Sequence, residues 1–462
     1  MQITFCGAAR QVTGSMHLLT LDNGYKILLD CGLDYEQQKN FHYSPPNSFP
    51  FDPASIDVVV LSHAHIDHSG NLPNLVRQGF GGRIICTPAT AELSYHLLLD
   101  SARIQDHDYR KNRRKKIQTP KPLYTEKNVK QTISQFTTVP FHKAYKIAPG
   151  VTLTFGIAGH LLGAAFVQLK IEEGGKEKSV VFTGDWGRPG APLLKDPESL
   201  PPCDVLITES TYGGRNHRAN IDPETELLEY VTSTCVTQRG KLIIPAFSVG
   251  RTQSIIYTLN KLARKGLLPD VKVFVDSPLA IKSTNIYSSY RSDLNAETAE
   301  FAHKFNDLFN FPNLQLIADQ SENFLLDNYF EPCVIVSAAG MVEGGRIQTH
   351  IANHISNNYA TILIAGFCSP GTLGHDLLQG RQTITVKGRP LAVYARIAST
   401  DAFSSHADAD GLCHAISENA TSTRKTCLVH GDEANMNALS ILLRNNGVED
   451  IVIPDRGDVI SI

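Results

Sequence analysis

The stretch that decides the fold is Leu61–Leu75, LSHAHIDHSGNLPNL, which places three histidines and an aspartate within six residues, directly behind the apolar run DVVV. In extended backbone His63 and His65 point to the same side, and Asp67 and His68 follow where the chain turns towards a predicted helix. Burying four such groups at a strand end is costly unless a cation binds them. Imidazole and carboxylate suit zinc, so this segment predicts a metal site.

Further candidate ligands close other predicted strands. His160 ends TLTFGIAGH, Asp185 ends VVFTGD and His430 stands in TCLVHGD. Each alone would be an ordinary polar loop residue, but together with the first segment they make seven ligands, enough for two metals that share one carboxylate. The hypothesis places one ion on His63, His65, His160 and Asp185, and the other on Asp67, His68, His430 and Asp185. Asp30 in LLDCG either orients a ligand histidine or simply forms a turn before glycine, and both alternatives stay open.

The order of the apolar runs indicates one α/β domain interrupted by another. Early runs such as YKILLDCG, IDVVVLSH and SVVFTGDWG are β-rich, and several follow one another through short turns as antiparallel pairs. From about residue 210, strands such as GKLIIPAF and VKVFVDSP alternate with helix-like stretches, which predicts parallel βαβ units. After about residue 395 the first style returns in ARIAST and TCLVHGD.

Composition limits the class of protein. The chain has 462 residues, of which 42% are hydrophobic and 19% charged, as expected for a globular protein with more than one core. No apolar run reaches the length of a bilayer span and no secretory signal pattern is found, so we expect no membrane association. Nine scattered cysteines without a C-x-x-C pair favour a reducing compartment, and the cytoplasm is the expected location.

One basic run stands out against a net charge of only −3: RKNRRKK, from Arg110 to Lys116. Its more common interpretation is a solvated surface helix end or loop. The alternative is a local surface that grips a nucleic-acid backbone, since the molecule as a whole does not attract polyanions. The sequence leaves both interpretations open.

Together the motifs resemble a known family. HAHIDH is similar to the H-x-H-x-D-H signature of the metallo-β-lactamase superfamily, and the GH at His160 and the GD at Asp185 match its next two motifs. ITEST at Glu209, PAFSVGRTQ, SAAGMVEGGR, FSSHAD at His406 and VHGDE at His430 are similar to the β-CASP branch. That branch includes the endonuclease subunit of the eukaryotic pre-mRNA cleavage and polyadenylation machinery, its prokaryotic relatives and ribonuclease J.

The resemblance implies an α/β fold, in which an αββα metallo-β-lactamase sandwich carries an inserted parallel-sheet α/β β-CASP domain. We expect residues 1–208 to form the first part of the metallo-β-lactamase domain, 209–395 the β-CASP domain and 396–462 the returning segment. Two Zn²⁺ per chain are implied at the seven ligands. We also expect the chain to lack the N-terminal KH domains of archaeal relatives and the C-terminal domain typical of ribonuclease J.

The function implied by the resemblance is that of a zinc-dependent ribonuclease, an RNA endonuclease for which added 5′-exonuclease activity stays open. A hydroxide bridging the two metals would attack the phosphodiester and leave 5′-phosphate and 3′-hydroxyl ends. The implied catalytic residues are Asp67, Glu209 and His406, with His406, held by Glu209, as the general acid. His430 favours RNA, because DNA-repair relatives tend to have an aliphatic residue there.

Candidate contacts to RNA phosphates are Arg251, Ser337 and Arg346, which stand in or beside glycine-bearing segments. Each has an ordinary alternative as a surface arginine or a capping serine. Other functions also stay open: a metal-dependent hydrolase of a small-molecule ester, lactam or thioester, a DNA nuclease, or a non-catalytic RNA-binding subunit. A homodimer is a further open alternative, and the sequence predicts no preference among RNA sequences or structures.

Overall fold

The chain folds into two compact units. The computed structural model describes residues 1–35, 48–218, 222–319, 328–418 and 422–462, together with Glu322 and Leu326. Unit 1 comprises Met1–Pro189, Asp196–Asn216 and His406–Ile462, and unit 2 comprises Gly190–Lys195 and His217–Ser405. The expected boundary after residue 208 falls inside the second segment of unit 1, and the one after residue 395 falls before unit 1 resumes. The domain boundaries themselves stay a prediction.

The helices and strands are short, apart from one long helix. The described strands are β1 (Gln2–Gly7), β2 (Met16–Thr20), β3 (Lys26–Leu29), β4 (Val58–Val60), β5 (Arg83–Cys86), β6 (Phe136–Thr138), β7 (Tyr145–Ala148), β8 (Val151–Ile157), β9 (Ala165–Glu173), β10 (Lys176–Phe182), β11 (Val205–Thr208), β12 (Lys241–Pro245), β13 (Lys272–Asp276), β14 (Leu314–Leu316), β15 (Cys333–Ser337), β16 (Thr361–Ile364), β17 (Thr383–Val386), β18 (Arg389–Ala392), β19 (Arg396–Ser399), β20 (Lys425–Leu428), β21 (Ile451–Val452) and β22 (Val459–Ser461). The described α-helices are α1 (Ile66–Ser69), α2 (Leu72–Arg77), α3 (Pro88–Arg114), α4 (Glu126–Ile133), α5 (Pro223–Val231), α6 (Arg251–Arg264), α7 (Pro278–Ser289), α8 (Ala296–Phe305), α9 (Ile347–His354), α10 (Leu373–Leu378), α11 (Ala409–Ser417) and α12 (Glu433–Asn445). Within the described part of the chain, none of these helices has the length and apolar composition that crossing a bilayer requires.

Unit 1 is a sandwich of two mixed sheets. Their strand orders are β22-β1-β2-β3-β4-β5-β6 and β21-β20-β11-β10-β9-β8-β7. Because successive strand residues face opposite sides, Ile27 and Leu29 enter the core shared with Phe155 of the second sheet, whereas Leu28 faces the other way. There Leu28 packs in one cluster with Leu72 of α2, so this sheet is covered on both faces. Each such side chain that is fully buried contributes about 1.5–3 kcal/mol.

Unit 2 contains a parallel sheet with the order β14-β13-β15-β12-β16-β19. Its central strands read as almost continuous apolar runs, KLIIP, CVIVS and TILI, because helices cover both faces of a parallel sheet. Ile243 and Ile362 belong to one core cluster, and Phe274 and Ile335 to another. The predicted α/β architecture, with a parallel-sheet domain inserted into a two-sheet one, is therefore confirmed.

Candidate metal centre

The backbone of the HAHIDH segment is fixed by the loop that follows β3. Buried β4 ends at Val60, and α1 begins directly after His65. Cys31 N in this loop donates to His68 O at 2.8 Å, and Ser15 N, directly before β2, donates to Asp67 O at 2.8 Å. At Gly32 an added Cβ would lie 1.6 Å from Asp67 O. Only glycine therefore lets the two segments approach this closely.

Four side chains from three segments converge on one point, and all of them are candidates named from the sequence. Nδ1 of His65 lies 3.2 Å from Nε2 of His63 and 3.1 Å from Nε2 of His160. Oδ2 of Asp185 lies 3.4 Å from Nε2 of His63 and 3.3 Å from Nε2 of His160. One ligand atom from each of the four side chains falls within 4.8 Å of the others.

A second group forms beside the first. Nε2 of His68 and Nε2 of His430 lie 3.1 Å apart, and Oδ2 of Asp67 is 3.5 Å from Nε2 of His430. Oδ1 of Asp185 faces this group, at 3.1 Å from His68 and 3.5 Å from His430. Asp185 thus presents one oxygen to each group. The structure brings all seven predicted ligands together in the expected division, and their role as ligands stays a prediction.

Hydrogen bonds at Nδ1, the ring nitrogen that faces away from the cluster, fix the orientation of three of these histidines. Nδ1 of His68 lies 2.6 Å from Asp30, Nδ1 of His63 lies 3.1 Å from the Ser62 hydroxyl, and Nδ1 of His430 lies 3.0 Å from the Thr211 hydroxyl. In each case Nε2 is left to point into the cluster. Such outer partners set the tautomer of a metal-binding histidine. Asp30 therefore orients a histidine, the first of its two alternatives.

Burial and the buried carboxylates shift the pKa values of the clustered histidines in opposite directions. Burial lowers the pKa of His65 to about 3 and lowers the pKa of His63 as well, so both rings are neutral. Burial would raise the pKa of Asp185, but His430 and the other histidines hold that pKa well below its ordinary value. Oδ1 of Asp185 is buried and accepts no hydrogen bond from the described residues. Burial would lower the pKa of His68 and of His430 too, but Asp185 raises both, so these two rings would each release a proton when a divalent cation binds.

His406 and Glu209 form a pair at the edge of the cluster. The Glu209 carboxylate is fully buried and accepts hydrogen bonds from the backbone N–H groups of Trp186 and Thr211. Its oxygens lie 3.0 and 3.1 Å from Nδ1 of His406. Nε2 of His406 then points towards the cluster, 4.0 Å from Asp185. Burial would lower the pKa of His406, but the charge and hydrogen bond of Glu209 raise it to about 8.

The three candidate phosphate contacts lie in unit 2, and two of them are engaged in buried contacts. The Ser337 hydroxyl donates to the backbone carbonyl of Asp276 at 2.9 Å. The Arg346 guanidinium bonds to the Asp276 carboxylate at 2.6 Å and to two backbone carbonyls, which is a structural arrangement. Arg251 stacks over the Phe247 ring at 4.7 Å. Contact of any of the three with RNA stays a prediction.

Sequence reasoning missed the residues that support the cluster. Ser62 and Thr211 hold ligand rings, and the Thr183 hydroxyl accepts from Glu209 N at 3.1 Å. A signal was present, since Ser62 directly precedes His63 and Thr211 follows Glu209 by two residues. Serine and threonine are too common beside strand ends for that signal to single them out.

Three family models match successive parts of the chain. The metallo-β-lactamase superfamily matches residues 9–215, the β-CASP domain residues 252–377, and the Zn-dependent metallo-hydrolase RNA specificity domain residues 390–454. The matches fall in the order that the resemblance predicts.

Full-length relatives give the same picture. Ribonuclease TTHA0252 of Thermus thermophilus is 30% identical over 97% of both chains. Transcription termination factor FttA of Methanosarcina mazei is 28% identical over 94% of this chain and 67% of its own. A crystal structure of a protein of unknown function from Enterococcus faecalis matches 99% of both chains with a TM-score of 0.52 at 12% identity, a likeness of fold alone.

Proposed function

Because the chain belongs to the β-CASP family of the metallo-β-lactamase superfamily, we propose that it is a zinc-dependent ribonuclease that cuts RNA internally. The observation that carries the proposal is the position of the His406–Glu209 pair beside seven convergent ligand side chains. A proton donor and a metal centre within one small space are what hydrolysis of a phosphodiester requires.

Two zinc ions per chain fit the donor set. His63, His65, His160 and Asp185 would hold one ion, and Asp67, His68, His430 and Asp185 the other. Nitrogen-rich ligand sets with a few carboxylates are typical of zinc and unlike the all-oxygen sets of Mg²⁺ or Ca²⁺. When bound, such ions supply an activated water and neutralise charge on the phosphate.

His406 supplies the proton for the leaving group. Glu209 accepts at Nδ1, so the proton to be transferred sits on Nε2, which faces the cluster. As the bond between phosphorus and the 3′ oxygen breaks, that oxygen takes the Nε2 proton and leaves as a 3′-hydroxyl. The phosphate stays on the 5′ oxygen of the downstream nucleotide. Positioned proton transfer of this kind contributes about 10²–10⁴-fold.

Asp67 is suited to orient the attacking water. Its side chain is 24% exposed, whereas Asp185 is 2% exposed and His430 3% exposed. It therefore lies where solvent reaches the cluster. A carboxylate there can hold the water by a hydrogen bond while it also binds metal.

RNA is the proposed substrate, and three observations support it. The relatives include a ribonuclease, a matched family model carries an RNA specificity domain in its name, and His430 occupies the position that favours RNA. A small-molecule hydrolase would also leave unexplained the parallel-sheet unit, most of which lies between Glu209 and His406 in the sequence.

The test uses circular and linear forms of one RNA, with matched single-stranded DNA. We expect the circles to open, the products to carry 5′-phosphate and 3′-hydroxyl ends, and metal analysis to find close to two zinc ions per chain. Products ending in a 2′,3′-cyclic phosphate would contradict the water-attack route. Intact circles beside degraded linear RNA would assign an exonuclease. Hydrolysis of esters or lactams with all nucleic acids untouched would overturn the proposal.

A matched control separates chemistry from folding. His406→Ala removes the proton donor but none of the seven candidate ligands. We expect metal content and thermal unfolding to stay as in the wild type while kcat falls by about 10²–10⁴-fold. Loss of zinc together with activity would instead place His406 among the groups that hold the metal.

A further inference from the structure

Helix α3 begins at the metal centre and leads away from it. The hydroxyls of Thr87 and Thr90 donate to Gly163 O at 2.7 and 2.9 Å, and Gly163 lies in the loop that carries His160. Further along, Ile66 of α1 packs in one cluster with Leu98 and its neighbours on α3. The first half of α3 is thus tied to two of the segments that carry candidate ligands.

The second half of α3 is exposed and ends in concentrated positive charge. Five basic residues of the run are exposed at this end: Lys111, Arg113, Arg114, Lys115 and Lys116. The acidic groups on the same stretch are already paired, Asp106 with Arg110 at 2.9 Å and Asp108 with His107 at 3.2 Å. Within the described residues, the recorded ion pair of the run is that of Arg110.

Three of these charges share one strip of the helix. Residues three and four apart on a helix are neighbours, so Lys111 and Arg114 line up with Lys115, which directly follows α3 and donates its backbone N–H to Lys111 O at 3.2 Å. The second half of α3 exposes one large aliphatic side chain, Ile104, and Ile117 is exposed just beyond the helix, which is too little to form the apolar face that enters a lipid layer. A strip of cations without an apolar face complements a polyanion better than a membrane.

The distance suits a single RNA strand. From Ala102, at the contact with α1, to Arg114 the helix rises about 18 Å, and the full length of α3 is about 40 Å. At about 3.4 Å per stacked nucleotide, that corresponds to roughly 5–12 nucleotides. An RNA bound at the metal centre would therefore reach the basic end of α3 with a flank of roughly 5–12 nucleotides on one side of the cut bond.

We propose that the basic end of α3 binds the backbone of the RNA flank, about 5–12 nucleotides from the cut bond. The inference rests on the proposed ribonuclease function. It deepens that function by defining a sequence-independent electrostatic site that contributes to binding and not to the chemical step.

The test measures RNA binding against salt in the full chain with His406→Ala, which slows cleavage enough for binding to be measured. The variant adds Lys111→Gln, Arg114→Gln and Lys115→Gln, and the control instead adds Lys143→Gln, Lys146→Gln and Lys176→Gln, exposed lysines elsewhere in unit 1. Each lost phosphate contact lowers the slope of log K against log salt by about 0.7. Between about 50 and 200 mM salt, the protein with the unmodified strip should therefore lose about 20-fold more RNA affinity than the variant loses.

Three results support or overturn the inference. The inference is supported if the slope of log K against log salt is flatter for the variant alone, on RNA of about 24 nucleotides but not on RNA of about 4 nucleotides. Equal slopes for variant and control overturn it, provided that a charge-retaining variant, Lys111→Arg with Arg114→Lys and Lys115→Arg, matches the wild type. Selective loss of binding to phosphatidylserine vesicles, with RNA binding unchanged, also overturns it. Failure of the proposed function is seen separately, as wild-type protein that cuts no RNA.

Discussion

Replacing Glu209 by glutamine should shift the alkaline limb of the profile of kcat against pH to lower pH. The substitution removes none of the seven candidate ligands. The carboxylate lies 3.0 and 3.1 Å from Nδ1 of His406 and raises the pKa of that imidazole to about 8. Two unit charges about 4 Å apart in an effective dielectric of about 20 interact by about 4 kcal/mol. That energy corresponds to about three pH units.

The sign follows from the role of His406. A general acid must be protonated, so the rate falls as pH rises through its pKa. Without the Glu209 charge that fall begins about three pH units lower, and kcat at neutral pH drops by about 10²-fold. Bound metal cations lower the pKa of His406 in both proteins. The quantity to measure is therefore the difference between the pKa values of wild type and variant.

The assay is kcat for one labelled RNA from about pH 5 to pH 10, with metal content and thermal unfolding measured in parallel. Glu209→Gln should approach the wild-type rate at the acid end, while Glu209→Asp, which keeps the charge, should retain the wild-type limb. Identical alkaline limbs in wild type and Glu209→Gln would refute the argument. A uniform drop at every pH would show that Glu209 acts on structure and not on the His406 proton.

Three further outcomes follow from the same structure. Asp185→Asn should reduce bound metal well below two per chain, as measured by metal analysis, because the carboxamide carries no negative charge and turns an NH2 group, which cannot bind a cation, towards one of the two groups. Gly32→Ala should abolish activity and displace Asp67, since the new Cβ would meet Asp67 O at 1.6 Å, whereas Gly81→Ala, with nothing within 4 Å, should be silent in both activity and unfolding. Asp276→Asn should cost about 3 kcal/mol in urea unfolding, because Arg346 loses its buried partner. Burial would raise the pKa of Asp276, but its cationic partners lower it, so this stabilisation is complete above about pH 4 and is lost as pH falls below that.

The sequence was most informative where the chemistry of a side chain conflicts with burial. His63, His65 and His68 stand at the end of an apolar strand, and the cost of burying them there predicts a shared cation. The interruption of one domain by another was also predictable, because alternating and continuous apolar runs mark different kinds of sheet.

What the sequence could not give is the use of common residues across long separations. Arg346 and Ser337 both bond to Asp276, which lies more than 60 residues earlier in the chain, and no local pattern predicts that partner. Thr211 holds His430 across 219 positions. Such networks depend on which strands become neighbours, and no local pattern encodes that.

The insertion of unit 2 has a consequence for synthesis on the ribosome. His63, His65, His160 and Asp185 all emerge before unit 2, whereas His406 and His430 follow it. A nascent chain can therefore gather six of the seven candidate ligands early, but it has neither the candidate proton donor nor the seventh candidate ligand until the inserted unit has been made. The candidate site therefore stays incomplete on the ribosome until all of unit 2 has been synthesised.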